Sequence, residues 1–400
     1  MTDFPISAFD YPLPDDRIAA FPLAERDASR LLVWESGKIS DRHFHNLAEE
    51  LPGGATLVVN DTRVIEARIF FQKASGGIIE LFLLEPQQPA EMTAALQSEG
   101  PVQWRCLIGG ASKWKAGQVL TKTLTVQGAD CVLEARFVSK EPDEFIVDLR
   151  WAPPLPFAEV LHAAGAIPLP PYIRRAAEGA DAERYQTIFA RQQGSVAAPT
   201  AALHFTPRVL EALEAKSIRR TPVTLNVGAG TFKPVKSDTI GGHPMHGEYF
   251  SVMASSLREL VDATRLVAVG TTSLRTLESL YWLGVKTAAA GMLQTELGQW
   301  EAYELETPFS YRDSLTVLLR ELEKNGWNEL HGRTSLLIRP GYRFQSAEAL
   351  LTNFHQPKST LVCLVAAFIG EDWRRVYTHA LEQGYRFLSY GDSSLLWRKS

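Results

Sequence analysis

Cysteine is scarce in this chain of 400 residues: Cys106, Cys131 and Cys363 lie far apart and form no CxxC pair. That spacing excludes a disulfide framework and a cysteine-rich zinc site, and a reducing, cytoplasmic setting is expected. A long apolar run is also missing. The longest, Leu361 to Ile369, is about half of what a helix needs to cross a bilayer. The opening residues, Met1-Thr-Asp-Phe-Pro-Ile-Ser, lack the basic and apolar regions of an export signal, so neither export nor membrane insertion is expected. Surplus positive charge is absent too. At a net charge of −5 no global field draws a polyanion, which leaves only a local basic face for contact with nucleic acid. Neither GxGxxG nor GxxxxGK[ST] occurs, and there is no internal repeat or low-complexity tract.

What is present is a globular composition, 45% hydrophobic, in a length that favours two domains. Residues 1–65 read as an opening lobe with a short helix candidate after Asp10 and a strand at Arg30-Leu-Leu-Val-Trp. The apolar run Thr56-Leu-Val-Val-Asn60 reads as a strand buried on both faces. Such a strand delivers Asn60 and Arg63 at its C-terminal end, where open α/β sheets place ligand groups. From Ile65 to about Leu149 six short β-like runs with hairpin spacing predict a small antiparallel barrel, and Pro153-Pro-Leu-Pro156 marks the return to the first lobe. Beyond Phe157, strands, glycine turns and helices alternate as in an α/β domain. Thr360 to Gly370 reads as either strand or helix.

The stretch Ser195 to Phe205 is small and almost bare of charge. Pro199 bends it, and Thr200 and His204 are its side chains best suited to polar chemistry. Four later stretches, Leu225 to Phe232, Val269 to Glu278, Asn353 to Thr360 and Leu388 to Ser393, are expected to complete one pocket with it. Gly228-Ala229-Gly230 permits close backbone approach to a ligand, or is a plain turn. Thr271, Thr272 and Ser273 open a helix, either as simple N-caps or as an anion site. Lys233 and Lys236 either meet phosphates or are merely solvated. Of the nine histidines, His204, His243, His246 and His355 fall in or near these stretches. A neutral histidine acting as general base is the functional reading, a satisfied structural histidine the bland one, and His243-x-x-His246 is a poor metal pattern. Pro168-Leu-Pro-Pro-Tyr172-Ile-Arg174-Arg175 is either a structural brace or a surface for phosphate and base contact.

Taken together these stretches resemble one family. They are Phe9-Asp-Tyr-Pro-Leu-Pro, Glu25-Arg-Asp-x-x-Arg-Leu-Leu, Asn60-Asp-Thr-Arg-Val, Pro168-Leu-Pro-Pro-Tyr-Ile, Val196-Ala-Ala-Pro-Thr-Ala-x-Leu-His-Phe, Val227-Gly-Ala-Gly-Thr-Phe-x-Pro-Val, Met245-His-x-Glu-Tyr, Val269-Gly-Thr-Thr-Ser-x-Arg-x-Leu-Glu, Thr352-Asn-Phe-His-x-Pro-x-Ser-Thr-Leu and Tyr385-Arg-Phe-x-Ser-Tyr-Gly-Asp. In this order they are similar to the S-adenosylmethionine:tRNA ribosyltransferase-isomerases of queuosine biosynthesis.

The resemblance implies an α/β main domain, residues 1–65 and 153–400, with an inserted six-stranded antiparallel β-barrel domain at 66–152. It implies transfer and isomerisation of the ribosyl unit of S-adenosylmethionine onto 7-aminomethyl-7-deazaguanine at the tRNA wobble position, with no metal or further cofactor. Epoxyqueuosine, adenine and methionine are the products, and the enzyme is expected to be a monomer. For the site it implies a base at His204 or His246. Donor contacts are expected from Asn60, Arg63, Pro199, Thr200, the residues Gly228, Ala229, Gly230, Thr231 and Phe232, Thr271 to Ser273, Arg275, Asn353 and His355. RNA contacts are expected from Tyr172, Arg174, Arg175, Lys233 and Lys236. Four positions depart from the family pattern: Asn226 where histidine is usual, Ala202 for glycine, Glu66 for proline and Arg339 for an aromatic residue. The alternative readings are a divergent paralogue with another acceptor and a non-catalytic tRNA-binding protein.

Overall fold

The computed structural model describes residues 3–73, 75–115, 117–142, 144–228, 235 and 237–399. Its largest sheet has ten strands, in the order Glu296–Leu297, Glu329–Thr334, Glu248–Met253, Arg219–Leu225, Thr56–Asn60, Leu266–Val269, Ala349–Asn353, Ser393–Trp397, Arg30–Glu35 and Lys38–His43. The four strands from Arg219–Leu225 to Ala349–Asn353 are parallel neighbours, and antiparallel strands flank them. Thr56–Asn60 is buried at every position, as its unbroken apolar run predicts.

Alternation along the parallel strands sorts their side chains between two cores. Val58, Ala268 and Leu350 join the core formed with the long helix Thr271–Ala290, while Leu57, Val59, Val267 and Leu351 join the one under helix Pro207–Ala215. Each buried aliphatic side chain of this kind stabilises the fold by about 1.5–3 kcal/mol. Thr360–Ile369 is a helix, which settles a segment that sequence left open between helix and strand. Among the described residues no helix is long and apolar enough to cross a membrane.

The second sheet is antiparallel and has seven strands: Gly165–Ala166, Arg68–Gln72, Ile78–Gln88, Val102–Gly109, Phe145–Ala152, Ala129–Lys140 and Val119–Val126. Six of them coincide with the expected runs, and the two-residue strand Gly165–Ala166 adds the seventh. No ladder among the described residues joins Arg68–Gln72 to Val119–Val126, so the hydrogen-bonded closure of a six-stranded barrel is replaced by a curled, open sheet. Helix Phe157–Ala164 fills its concave side. Phe157, Val160 and Leu161 share one buried core with Ile69, Leu81, Trp104 and Leu133. A short parallel pair, Thr62–Val64 with Gln192–Ser195, forms the third sheet.

Candidate active site

The four parallel strands end on one edge of the large sheet, at Leu225, Asn60, Val269 and Asn353. Loops leaving that edge are free to hold a ligand. A cleft of about 1370 Å³ lies there, and all five small or hydroxyl-rich stretches contribute to its lining, among them Ala198, Gly228, Thr271, Asn353 and Ser389. Leu84 and Arg105 of the curled sheet, with Met92 at the start of the short helix Met92–Gln97, supply a further wall.

Gly270 stands at the entry to the long helix with φ of 90°, a conformation that glycine adopts without strain, and no side chain caps that end. Thr271, Thr272 and Ser273 are therefore the first helical residues, not the cap that their sequence position suggested. Thr271 and Thr272 line the cleft, whereas Ser273 is fully buried. Free N–H groups at the start of a helix attract anions. Arg275, one turn on, also lines the cleft; its Nη1 pairs with the Glu248 carboxylate and its Nε donates to the Leu336 carbonyl at 3.2 Å.

The histidines divide by environment. His204 is buried, with Nδ1 2.9 Å from Ser29 Oγ and Nε2 3.2 Å from Asn353 Oδ1. Burial pulls its pKa down to about 4, and the ring is not part of the cleft lining. Both of its ring nitrogens are engaged on the protein side. His355 does line the cleft; its Nε2 is 3.0 Å from Thr352 Oγ1, and burial lowers its pKa to about 4. His246 is exposed in the cleft lining next to His243, whose pKa is lowered first by burial and then by the charge of His246. Among the described residues no group of three His, Cys, Asp or Glu side chains is placed to hold a metal ion.

Other expected site residues lie elsewhere. Asn60 is wholly buried outside the cleft lining and brackets its neighbour strand, donating to the Leu225 carbonyl and accepting from the Leu225 and Thr62 amides. Arg63 opens onto a separate, smaller cavity of about 420 Å³. Pro199 and Thr200 line the main cleft, as does Tyr172, whose hydroxyl is 2.6 Å from Ser389 Oγ. Arg174 is paired with Asp15 on the surface and Arg175 with the buried Asp181, both outside the cleft lining. Ala229, Gly230, Thr231, Phe232, Lys233 and Lys236 lie outside the described residues.

The four unusual positions are each accommodated. Asn226 lines the cleft and accepts a hydrogen bond from Thr62 Oγ1 at 3.1 Å. Ala202 is packed in the core, Glu66 lies 2.8 Å from His162 Nδ1, and the Arg339 guanidinium sits among the rings of Phe4, Trp300 and Tyr303. Three lining residues that sequence reasoning passed over are Glu248, Tyr249 and Arg333. Glu248 and Tyr249 end the motif Met245-His-x-Glu-Tyr and begin the strand Glu248–Met253, whose alternation is the available signal for Tyr249; the strand that carries Arg333 offers none.

Residues 6–396 match the family described as Queuosine biosynthesis protein. The S-adenosylmethionine:tRNA ribosyltransferase-isomerase of Anaeromyxobacter dehalogenans is 43% identical, covering 98% of this chain and 99% of its own length. The protein of the same name from Magnetococcus marinus is 38% identical, covering 98% of this chain and 94% of its own. A solved S-adenosylmethionine tRNA ribosyltransferase from Thermotoga maritima is 28% identical over 98% of this chain and 100% of that one, with a TM-score of 0.46. With the family match running nearly from end to end, the chain belongs to the queuosine biosynthesis protein family.

Proposed function

We propose that this chain is an S-adenosylmethionine:tRNA ribosyltransferase-isomerase. It transfers and isomerises the ribosyl moiety of S-adenosylmethionine onto 7-aminomethyl-7-deazaguanine at the tRNA wobble position, releasing adenine and methionine and leaving epoxyqueuosine in the tRNA. The observation that carries this reading is the relation to enzymes of that name at 43% identity over nearly the whole of both chains. The size of the cleft supports it. At about 1370 Å³ it exceeds the roughly 300–1,000 Å³ that a single small ligand occupies, which leaves room for donor and acceptor base together.

The reaction needs a base, a flat bed for adenine and an anchor for the methionine carboxylate. His246, exposed in the lining, removes a proton from the ribose 5′ carbon that the neighbouring sulfonium acidifies. Adenine then leaves, and the substrate amine attacks the rearranging sugar as methionine departs. The small residues Ala197, Ala198 and Ala201 lie where a flat ring needs close approach, and the start of the long helix at Thr271 and Thr272 faces the carboxylate. S-adenosylmethionine serves as co-substrate with no other cofactor. The main unit comprises residues 1–65 and 153–400, the six long strands of residues 66–152 form a barrel-like insert, and the enzyme acts as a cytoplasmic monomer.

The test is incubation of the purified protein with S-adenosylmethionine and tRNA carrying the aminomethyl-deazaguanine. Free adenine and a ribosyl-derived gain in nucleoside mass are expected. Bound S-adenosylmethionine without either product would reject the assigned acceptor and point to Asn226 and the other unusual positions.

A further inference from the structure

The strand Glu248–Met253 has an inner and an outer face. Phe250 and Val252 are buried, whereas Tyr249 is 56% exposed and Met253 45%. Its antiparallel neighbour Glu329–Thr334 alternates in step, so Arg333 stands opposite Tyr249 and His331 opposite Ser251 on the outer side. Two glycines hold this arrangement. A Cβ at Gly332 would lie 2.5 Å from the Phe250 ring, and one at Gly247 would lie 2.4 Å from Arg333 Nε. The Arg333 guanidinium rests 5.5 Å from the centre of the Tyr249 ring.

A single exposed aromatic side chain is ordinary. This one is not isolated: Tyr249, Ser251, His331 and Arg333 all line the same cleft as His246 and Thr271. A sheet face that presents an aromatic ring beside an arginine is a surface on which unpaired nucleobases stack. Acidic neighbours keep it from being a phosphate track, since Glu296 is the strand partner of Arg333 and Glu329 lies 3.5 Å from His331.

We infer that the strip around Tyr249 and Arg333 is the seat of a single-stranded RNA segment, with Tyr249 stacking on a base next to the nucleotide that reacts in the cleft. The inference rests on the proposed function, because continuity with that cleft names the occupant: a nucleotide presented from an RNA loop brings its unpaired neighbours with it. Stacking requires the ring and not the hydroxyl. The contact therefore acts on tRNA affinity and leaves donor binding alone.

The test compares Tyr249→Ala, Tyr249→Leu and Tyr249→Phe by tRNA binding over a range of salt and by the kinetics of adenine release. Ala and Leu are expected to weaken tRNA binding and raise the KM for tRNA roughly tenfold or more. The kcat, the KM for S-adenosylmethionine and the salt dependence of binding stay near those of the parent, and Phe behaves as the parent does. Unchanged tRNA affinity in both Ala and Leu variants overturns the inference, as does an equal loss in the Phe variant. Absence of adenine release from the parent protein would instead reject the proposed function, and the binding measurements still decide whether the strip holds RNA.

Discussion

His204 lies between Ser29 and Asn353 with both ring nitrogens engaged, whereas His246 is exposed in the cleft. Removing each ring should therefore give opposite results. His246→Ala is expected to lower kcat for adenine release by roughly 10²–10⁴-fold, the usual contribution of a general base, with an unchanged midpoint in urea. His204→Ala leaves Ser29 Oγ without its partner and Asn353 Oδ1 with only the hydroxyl of Ser393, around a void, and is expected to cost about 2–4 kcal/mol in the same denaturation. The pH dependence separates them further. The folded pKa of His204, about 4, lies below its ordinary 6.5, so the unfolded chain takes up the proton first as pH falls. The stability it contributes is full above about 6.5 and is lost on the way down to about 4, and His204→Ala should flatten that part of the curve. Sequence placed His204 on the right floor but could not tell which side it faces. Ser29 reaches it from 175 residues away, and no local pattern records that contact.

The helix Thr271–Ala290 shows what can be read at the scale of an element. An apolar strand followed by Gly270 predicts its start, yet Gly270 itself stands at the N-cap without a side-chain hydrogen bond, and the hydroxyl residues after it are already helical. The β runs between Arg68 and Ala152 were legible because alternation and turn residues recur there. Whether the resulting sheet closes was not, since closure depends on how the first strand meets the last. Three quarters of the long helix is buried, which leaves little tolerance where it meets helix Tyr311–Asn325. At Gly284 a Cβ would lie 2.1 Å from Ser314 Oγ and 2.3 Å from the Ser314 carbonyl oxygen. A main-chain oxygen cannot rotate away. Gly284→Ala is therefore expected to destabilise the fold by about 1–3 kcal/mol through overpacking, read as a lower urea midpoint.

At the scale of the whole molecule, the cleft forms where loops of the large sheet face Leu84 and Arg105 of the curled one. Those residues read locally as plain strand, so their part in the site emerges only from the packing of one sheet against the other. Charge imposes a second condition. An acidic molecule, net −5, that binds RNA must spend few cations on the backbone, and some arginines are already held in largely buried pairs, including Arg68 with Glu80 and Arg175 with Asp181. Lys358 differs in its position. It lines the cleft, its φ is 55°, and its amide donates to the Phe9 carbonyl at 3.0 Å, which fixes the left-handed turn. Its ammonium is 2.9 Å from Asp10, with both side chains about half exposed, a pairing that contributes at most about 1 kcal/mol and is readily exchanged for a phosphate. Binding of tRNA should thus depend only shallowly on salt, and Lys358→Gln should reduce the slope of log K against log salt by about 0.7–0.9, the release of one counterion. Equal slopes for the parent and the variant would remove Lys358 from the RNA-binding edge, whereas a reduced slope with unaltered S-adenosylmethionine binding would place one backbone phosphate at the mouth of the cleft.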